Sequence, residues 1–554
     1  MNRPRRGPVW WPVAAAAILQ WVVLARAPFL PFVDLPQHVA QAQLWLHLRD
    51  ASIGRLFESQ LIPQVNCLAL LVLAPLHALL GEALAVRALL ALYVGGLGWS
   101  LYRLTRVLGT PVWGAVAALL FALQFNLWYG FLSYCLALPL FVLLVSRWAG
   151  TLTPLASGSD QSNGFVAASN PSRSFRTSGG TARTLVLDAF LWWAILLGHT
   201  LVFAFALVAF ALWMAFGAGW AMRVRRALAL LPALAWFGWW NGANRALLAR
   251  HFPDAGGPMD AIWEGPGTKL QDIGRSLLVA SSTGHTETVI LLVVLAVTMW
   301  LLWRDAHLPG SERSASADLS ASSERSTSSM TPARPSAPRD WVRWVGLLGL
   351  IAYAVLPYSI YERDRVTYGL FILYQRFAVF APLVVLPSLS APPGRTTRRI
   401  LVAAVAACHL VLVLHWSAVL AQVGKEAAPI NDAIAALAPG RVLKSLIYKP
   451  YPVGLRFESF LHVASYYQAR NLGETDQSFA ALLPSPIHYR DLRHPYLSLQ
   501  DEHLRPEDFD LERSGPLYNF ALTYGVPDPL PGATTLFVRN GWRVETLSSK
   551  VDGR

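Results

Sequence analysis

Long apolar runs separated by short polar segments fill the chain up to about residue 421. A helix needs about 20 apolar residues to cross the hydrocarbon core of a bilayer, and by that measure the runs predict about eleven spans. Several are short, which suits helices buried within a bundle. The predicted spans cover residues 9–27, 84–102, 111–126, 131–148, 186–198, 200–218, 227–241, 286–303, 341–358, 376–390 and 400–421. The expected fold is therefore mainly α, a polytopic transmembrane helix bundle.

Basic residues are concentrated in alternate loops between these runs. The 554 residues are 54% hydrophobic and 14% charged, with a formal net charge of +13. Because the arginines lie in short loops, they follow the positive-inside pattern of membrane proteins, and no nucleic-acid partner is expected. A cytoplasmic N-terminus puts the more basic loops inside, namely residues 1–8, 103–110, 147–184, 219–226, 304–343 and 391–399. We therefore expect a multi-pass protein of the cell inner (plasma) membrane.

Three segments interrupt this simple alternation. Residues 61–80 are apolar enough to span, but Pro63, Asn66, Pro75 and His77 break the run. We interpret the segment as re-entrant or surface-lying on the outer face; a full span, with another predicted span then wrong, is the alternative. Two low-complexity loops, 150–184 and 308–340, lack apolar periodicity and are expected to be disordered cytoplasmic linkers within a bundle of residues 1–421.

The composition changes after about residue 422, where the chain becomes polar and contains no further span. Residues 441–448 have the pattern of a strand and 457–470 that of a helix. Asn540-Gly541 between residues 534–539 and 542–547 is typical of a type I′ hairpin. We therefore expect 422–554 to form a small α/β domain, and the odd number of spans places it outside the cytoplasm.

The cysteines and the common catalytic motifs narrow the possible chemistry. Cys67, Cys135 and Cys408 lie far apart within apolar stretches, without the spacing of a metal site or a disulfide framework, and we interpret them as small core residues. The sequence contains no P-loop, no GxGxxG at a strand–helix junction, no HExxH and no GxSxG. With no folded cytoplasmic domain expected, cytosolic nucleotide chemistry is unlikely to be its function.

Polar residues follow the first predicted span, on its outer side. A helix is predicted to begin at Asp34-Leu35-Pro36, because proline is tolerated in the first turn. Spacings of four and three residues then place Asp34, His38 and Gln41 along one face. The simplest structural explanation is that Asp34 caps the helix by accepting a backbone N–H. That explanation leaves His38 and Gln41 unexplained, so Asp34 and His38 are also candidates for chemistry.

A second candidate, His199, splits an apolar stretch that is too long for one ordinary span. The basic flanks of residues 185–216 indicate that the chain crosses outward and returns, which places His199 at the outer turn, on the same side as Asp34. A histidine in this position often just bonds a neighbour, but an ionisable group at membrane depth is also a functional candidate.

Arginines cluster at another outer turn. Arg363 and Arg365 follow the span 341–358, and Arg376 begins the next. Guanidinium groups match phosphate oxygens, so these three residues could bind a phosphate or pyrophosphate; a solvated loop with internal ion pairs explains them equally well. The aromatic turn at residues 125–131 is explained by a role as an interface anchor.

The acid after the first span, the helix pair that breaks at His199, the many spans and the extracytoplasmic C-terminal domain together resemble the GT-C superfamily of polyprenyl-phosphate-dependent glycosyltransferases. The DLPQH stretch at residues 34–38 is similar to one in uncharacterised bacterial relatives. The resemblance implies an enzyme that transfers a hexosyl or pentosyl group from a lipid-linked donor to an extracytoplasmic glycan, lipid or protein. It further implies that Asp34 is the general base, that the reaction inverts the anomeric centre, and that the arginines hold the donor phosphate.

The sequence departs from the family in one respect. Many members have two neighbouring acids in the first outer loop, whereas Asp34 stands alone, with Asp50 and Glu58 well downstream. A divalent metal is possible, but no metal ligands are assigned. The alternative is a transporter, a flippase or a non-catalytic envelope assembly protein. A transporter typically has inverted repeats and charged groups at mid-membrane; this sequence has no visible repeat and its polar residues cluster at one face, which favours an enzyme.

Overall fold

The structure is a computed structural model. It describes residues 10–59, 64–152, 176–216, 219–251, 259–307, 337–362, 365–370, 372–392, 394–481, 485–491, 501–526 and 528–547. Most of the two low-complexity loops, at 153–175 and 308–336, lies outside these residues, as does Arg363.

Helices dominate the first 435 residues, and each of the eleven predicted spans coincides with a helix or a broken helix. They are α1 Trp11–Arg26, α2 Leu35–His47, α3 Ala51–Leu56, α4 Leu68–Leu80, α5 Glu82–Leu108, α6 Trp113–Leu119, α7 Phe125–Trp128, α8 Leu132–Leu152, α9 Arg176–Gly198, α10 Thr200–Ala215, α11 Trp220–His251, α12 Pro266–Leu277, α13 His285–His307, α14 Ala337–Val355, α15 Phe380–Ser388, α16 Arg395–Ala427 and α17 Pro429–Ala435. The predicted helix-bundle fold class is confirmed.

Length and composition identify the helices that can cross a bilayer alone. Among the described residues there are four, α5, α8, α13 and the continuous stretch through α16 and α17. Shorter apolar helices include α1, α4, α10 and the broken stretch 113–128. Large lipophilic side chains are exposed along α13 and α16, as expected for helices that face lipid. The chain is therefore a multi-pass membrane protein.

The uncertain segment at 61–80 contains a helix that is too short to span. Its helical part, α4, has 13 residues, a length of about 20 Å against roughly 30 Å for the hydrocarbon core. Gly81 follows in a left-handed conformation (φ +75°), and the chain continues directly into α5, against which α4 packs. These features favour the re-entrant or surface-lying interpretation.

The C-terminal part contains a five-stranded mixed sheet in the order β6-β5-β8-β10-β9. β5 is parallel to β6 and β8, and the other pairs are antiparallel. The strands are β5 Val442–Ile447, β6 Glu474–Thr475, β8 Phe520–Tyr524, β9 Thr534–Arg539 and β10 Trp542–Thr546. The predicted strand at 441–448 and the predicted hairpin are confirmed, with Asn540 and Gly541 both at positive φ. Two short helices, α18 Ser465–Asn471 and α19 Asp501–Leu504, accompany the sheet.

The helix predicted over 457–470 is wrong in its first half. Residues 459–464 form turns, and α18 begins only at Ser465. Phe460 packs against Tyr524 and Trp542 of the sheet and against Phe29 of the bundle. Contacts with two separate surfaces thus replace the regular helix that the sequence pattern favours, since tertiary packing overrides local propensity.

Two small sheets connect distant parts of the chain. β1 Phe57–Ser59 pairs with β7 Ile487–Tyr489 and so joins the first loop to the C-terminal part. β2 Met259–Ile262, β3 Ser359–Glu362 and β4 Arg365–Leu370 form an antiparallel sheet that the sequence pattern did not predict. Accordingly, α14 ends at Val355 rather than at 358, and α15 begins at Phe380 rather than at 376.

Candidate active site

Asp34 occupies the N-cap position of α2, but its side chain does not cap the helix. Pro36 lies in the first turn and offers no N–H to a capping group. The Asp34 carboxylate is 14% exposed, and its Oδ1 lies 3.4 Å from Nε2 of His462 in the C-terminal part. The capping explanation is therefore not supported. Because the carboxylate is partly exposed and makes no capping bond, it can contact another molecule.

The Asp34 loop is held by the aromatic turn at residues 125–131. The backbone N–H groups of Val33 and Asp34 donate to the carbonyls of Trp128 and Tyr129, both at 3.0 Å. Gly130 has φ +82°, and a Cβ there would lie 2.7 Å from the Asp34 nitrogen, so only glycine fits. This turn is largely buried. Its interpretation as an interface anchor is wrong, because it supports Asp34 from inside the protein.

The next two residues on this helix face have different surroundings. The His38 ring packs edge-on against Phe479, with ring centroids 5.5 Å apart. Burial lowers the pKa of His38, while the charge of Asp34 and a hydrogen bond to the Gly130 carbonyl oppose that shift. Gln41 is buried and bonds the C-terminal part, donating to the Ile487 carbonyl at 3.2 Å and accepting from the Ile487 N–H at 3.2 Å. Gln41 thus docks the two parts of the chain, whereas His38 stays beside Asp34.

His199 lies at the break between α9 and α10, as the sequence predicted. Its Nδ1 accepts the Leu201 N–H at 3.1 Å, and its Nε2 lies 3.1 Å from Nη1 of Arg376. Gly198 permits this arrangement, because a Cβ there would lie 2.6 Å from the Ala137 side chain on α8. His199 and Arg376 are 177 residues apart in sequence, and the bundle brings them into contact.

Arg376 lies in a 3-10 turn, Tyr374–Phe377, between β4 and α15. Its guanidinium carbon is 3.9 Å from the centre of the Phe131 ring, and Tyr134 donates a hydrogen bond to its carbonyl. The charge of Asp34 acts on this guanidinium. Asp34, His38, His199 and Arg376 are thus grouped around the aromatic turn.

The other two predicted arginines are not placed at this group. Arg363 lies outside the described residues, and Arg365 is the first residue of β4, with its backbone paired to Glu362. Glu362 ends β3 and Arg365 begins β4, and the interpretation of residues 361–365 as a solvated loop stays a prediction. Of the three arginines, Arg376 is the one whose side-chain contacts with the site are seen.

A polar cluster that the sequence did not reveal lies next to Arg376. The Tyr374 hydroxyl lies 2.5 Å from a Glu264 carboxylate oxygen and 2.9 Å from one of Asp272, which also accepts from Gln375 at 2.8 Å. Burial and these two acids raise the pKa of Tyr374 above its usual range. Lys269 lies over the Tyr374 ring and donates to the carbonyls of residues 354 and 356 at the end of α14. The two acids are in the polar segment between α11 and α13, whose composition gave no sign of this contact.

Metal binding and thiol chemistry gain no specific support. Within the described ranges, no three His, Cys, Asp or Glu side chains converge as a set of metal ligands. Cys67 and Cys135 are buried and Cys408 is partly buried, and none of them is in a disulfide.

The fold places the chain in a class, that of polytopic membrane proteins built as a helix bundle. It is similar to the crystal structure of ArnT from Cupriavidus metallidurans bound to undecaprenyl phosphate, with a TM-score of 0.51, 11% identity and 97% of each chain covered. The apo structure of the same ArnT matches with a TM-score of 0.39 and 12% identity, again over 97% of each chain. No protein-family model matches the sequence, and no curated protein matches it.

Proposed function

We propose that this protein is an integral membrane glycosyltransferase that moves a sugar from a polyprenyl-phosphate donor to an extracytoplasmic acceptor. The observation that carries the proposal is the grouping of a partly exposed carboxylate, Asp34, with a cationic group, Arg376, and His199 at one end of a GT-C-type bundle. A reaction of this kind needs both a base for the acceptor and a positive site for the departing phosphate.

Hydrogen-bond accounting at His199 supports an anion site. Because Nδ1 accepts the Leu201 N–H, the ring hydrogen of neutral His199 is on Nε2. Nε2 then faces Arg376 Nη1 at 3.1 Å, and both atoms are donors. An anionic oxygen that accepts from both would relieve this contact between donors. A phosphate suits such a site, since guanidinium donors match its oxygens.

The bound lipid in the similar ArnT structure suggests what carries that phosphate. In our proposal the polyprenyl chain lies in the bilayer, the phosphate binds at Arg376 and His199, and the sugar extends toward Asp34. The positive-inside pattern puts this end of the bundle outside the cytoplasm. We accordingly propose that residues 1–421 form the bundle in the inner membrane and that 422–554 form an extracytoplasmic domain. The sugar can be a hexose or a pentose.

The proposed reaction is a single displacement. Asp34 takes the proton of the acceptor hydroxyl as its oxygen forms a bond to the anomeric carbon. The bond from that carbon to the phosphate oxygen breaks, polyprenyl phosphate leaves with the bonding electrons, and the anomeric centre inverts. Arg376 and His199 stabilise the charge that develops on the phosphate. General-base assistance of this kind typically accelerates a reaction by roughly 10²–10⁴-fold.

Binding of undecaprenyl phosphate to the purified full chain tests the donor site. We expect Arg376→Gln to weaken binding at least tenfold, because the guanidinium is the main charge at the site. Arg376→Lys should retain part of the affinity, since it keeps the charge but loses the fork. Native mass spectrometry in a mild detergent measures the bound fraction, and thermal unfolding checks that each variant is folded.

The matched control is Arg339→Gln, which removes a half-buried guanidinium at the opposite end. Arg339 donates to the carbonyls of Leu108 and Gly109, so its loss affects stability without touching the proposed site. Undiminished affinity in folded Arg376→Gln, or an equal loss in Arg339→Gln, would contradict the assignment of the phosphate to Arg376. A flippase could also bind this lipid, so turnover is tested separately at Asp34.

A further inference from the structure

We infer that His462, supplied by the C-terminal domain, is a positioning residue for Asp34 in the proposed transfer reaction. The inference rests on the proposed function. It assigns to the C-terminal domain a part in the active site rather than a purely supporting role.

The contact itself is the first argument. His462 is 8% exposed, and its Nε2 lies 3.4 Å from Asp34 Oδ1, within ion-pair distance. Catalytic hydrogen bonds are often long before substrate binds and tighten in the complex. Among the described residues, no hydrogen bond fixes the Asp34 side chain. Within ion-pair distance of its carboxylate, the described chargeable group is His462. A contact at Oδ1 leaves Oδ2 to accept the proton of the acceptor hydroxyl.

The second argument is that His462 is held rigidly opposite Asp34. Its neighbour Ser459 donates a hydrogen bond of 2.6 Å to the Pro31 carbonyl, three residues before Asp34. The His462 carbonyl accepts from the Ser465 N–H at the start of α18. Phe460 packs on Phe29 with ring centroids 5.9 Å apart. The residues just before His462 thus fasten the turn at 459–464 to the Asp34 loop.

The third argument is that the whole C-terminal domain is fastened to α2. Gln37 donates to the Gln477 carbonyl at 3.2 Å and accepts from the Phe479 N–H at 2.8 Å. One helical turn later, the Gln41 amide likewise donates to the Ile487 carbonyl and accepts from the Ile487 N–H. Both glutamines are buried, so docking of the domain satisfies the polar groups that the contact shields from water.

Other charged or titratable groups around Asp34 do not replace this contact. The charge of Asp34 acts on His38, Arg376 and Tyr129. In the proposed function Arg376 is committed to the phosphate, and His38 bonds the Gly130 carbonyl. The remaining neighbour, Tyr129, is largely buried and carries no charge at neutral pH. A base must be correctly oriented, and the contact at Oδ1 places His462 to orient Asp34.

The test compares His462→Phe with His462→Gln in the full chain. Proteoliposomes contain undecaprenyl-phosphoryl monosaccharides and a membrane extract as acceptor, and release of undecaprenyl phosphate is followed against donor concentration. The Phe variant has no donor for Asp34, so the carboxylate loses the contact that orients it. We expect kcat to fall roughly 10–100-fold. The KM for the donor should stay unchanged.

The Gln variant distinguishes positioning from packing, because its amide can still donate to Asp34. It should recover most of kcat. The matched control is His488→Phe. His488 also pairs with an acid of the first loop, its Nε2 lying 3.1 Å from Glu58 Oε1, but at the β1–β7 pair. This control should lower thermal stability without lowering kcat.

Three results would overturn the inference. Wild-type kcat in folded His462→Phe, or an equal fall in kcat in folded His488→Phe, would show that His462 does not position Asp34. An equal defect in His462→Gln and His462→Phe would reduce its role to packing. If the wild-type protein releases no undecaprenyl phosphate from any donor, the proposed function itself fails, which is a distinct outcome.

Discussion

Aspartates at the two ends of the helix bundle have different partners. At the basic end, Asp188 is paired with both Arg147 and Arg226, and Asp305 with both Arg304 and Arg343. At the other end, the Asp34 carboxylate has one histidine at 3.4 Å and no hydrogen bond from the described residues. Both oxygens of Asp188 are engaged by arginines, whereas Oδ2 of Asp34 is open to another partner. The comparison separates carboxylates that hold helices together from one that is available for chemistry.

The largest effect on stability is expected at Asp188. Asp188→Asn leaves two buried guanidinium groups without their counter-ion, and breaking a buried pair in this way costs about 3–5 kcal/mol. Thermal unfolding in detergent measures the loss. The same change at Asp340, which is 39% exposed and 3.9 Å from Arg343, serves as the control and should cost less than about 0.5 kcal/mol. Similar unfolding temperatures for the two variants would remove the basis of the comparison.

A smaller loss of stability is expected at Gly130, whose backbone lies against Asp34. Gly130→Ala places a Cβ 2.7 Å from the Asp34 nitrogen at φ +82°. We expect a cost of about 1–3 kcal/mol together with reduced transfer, because the Asp34 loop must shift. Gly532→Ala is the control, since it has φ +73° but no atom within 4 Å of the added Cβ. If both variants lose the same stability and keep full activity, the close approach has no functional consequence.

The smallest effect concerns the pH dependence of stability. Burial lowers the pKa of His38, so the unfolded chain binds this proton more readily than the folded one. Stability should therefore fall as the pH drops below the unfolded value of about 6.5, by at most ~1.4 kcal/mol per pH unit from this group. His38→Gln should lessen that fall when unfolding is followed between pH 7 and 5. If His38→Gln lost stability more steeply than the wild type as the pH falls, His38 would not be a histidine buried in its neutral form.

The difference between local and long-range contacts explains what could be predicted from the sequence. Helices of the bundle are marked by apolar runs, and the β9–β10 hairpin by Asn540-Gly541, because both depend on local chemistry. Asp34 and His199 could be nominated because polar residues stand out within apolar surroundings. His462 could not be nominated, because no local feature distinguishes it in a segment with the pattern of a helix. Its role depends on long-range contacts, such as the one between its neighbour Ser459 and Pro31, which are 428 residues apart.

The arginines illustrate the remaining uncertainty of sequence reasoning. Composition alone treated Arg363, Arg365 and Arg376 as one cluster. In the described part of the chain, Arg365 begins strand β4, whereas Arg376 lies in the 3-10 turn that faces His199 and Phe131. Charge patterns reveal which side of a membrane a residue is on. They do not reveal which of several neighbouring cations faces a site.

The most direct test of the account is turnover by Asp34→Asn. Because Asp34 makes no capping bond, asparagine should leave folding intact while removing the proton acceptor. We expect release of undecaprenyl phosphate to fall roughly 10²-fold or more, with undecaprenyl phosphate binding retained. Asp50→Asn, in the same loop and 53% exposed beside His47, should be nearly silent. Wild-type turnover in Asp34→Asn would contradict the general-base role and favour a transporter or an assembly protein.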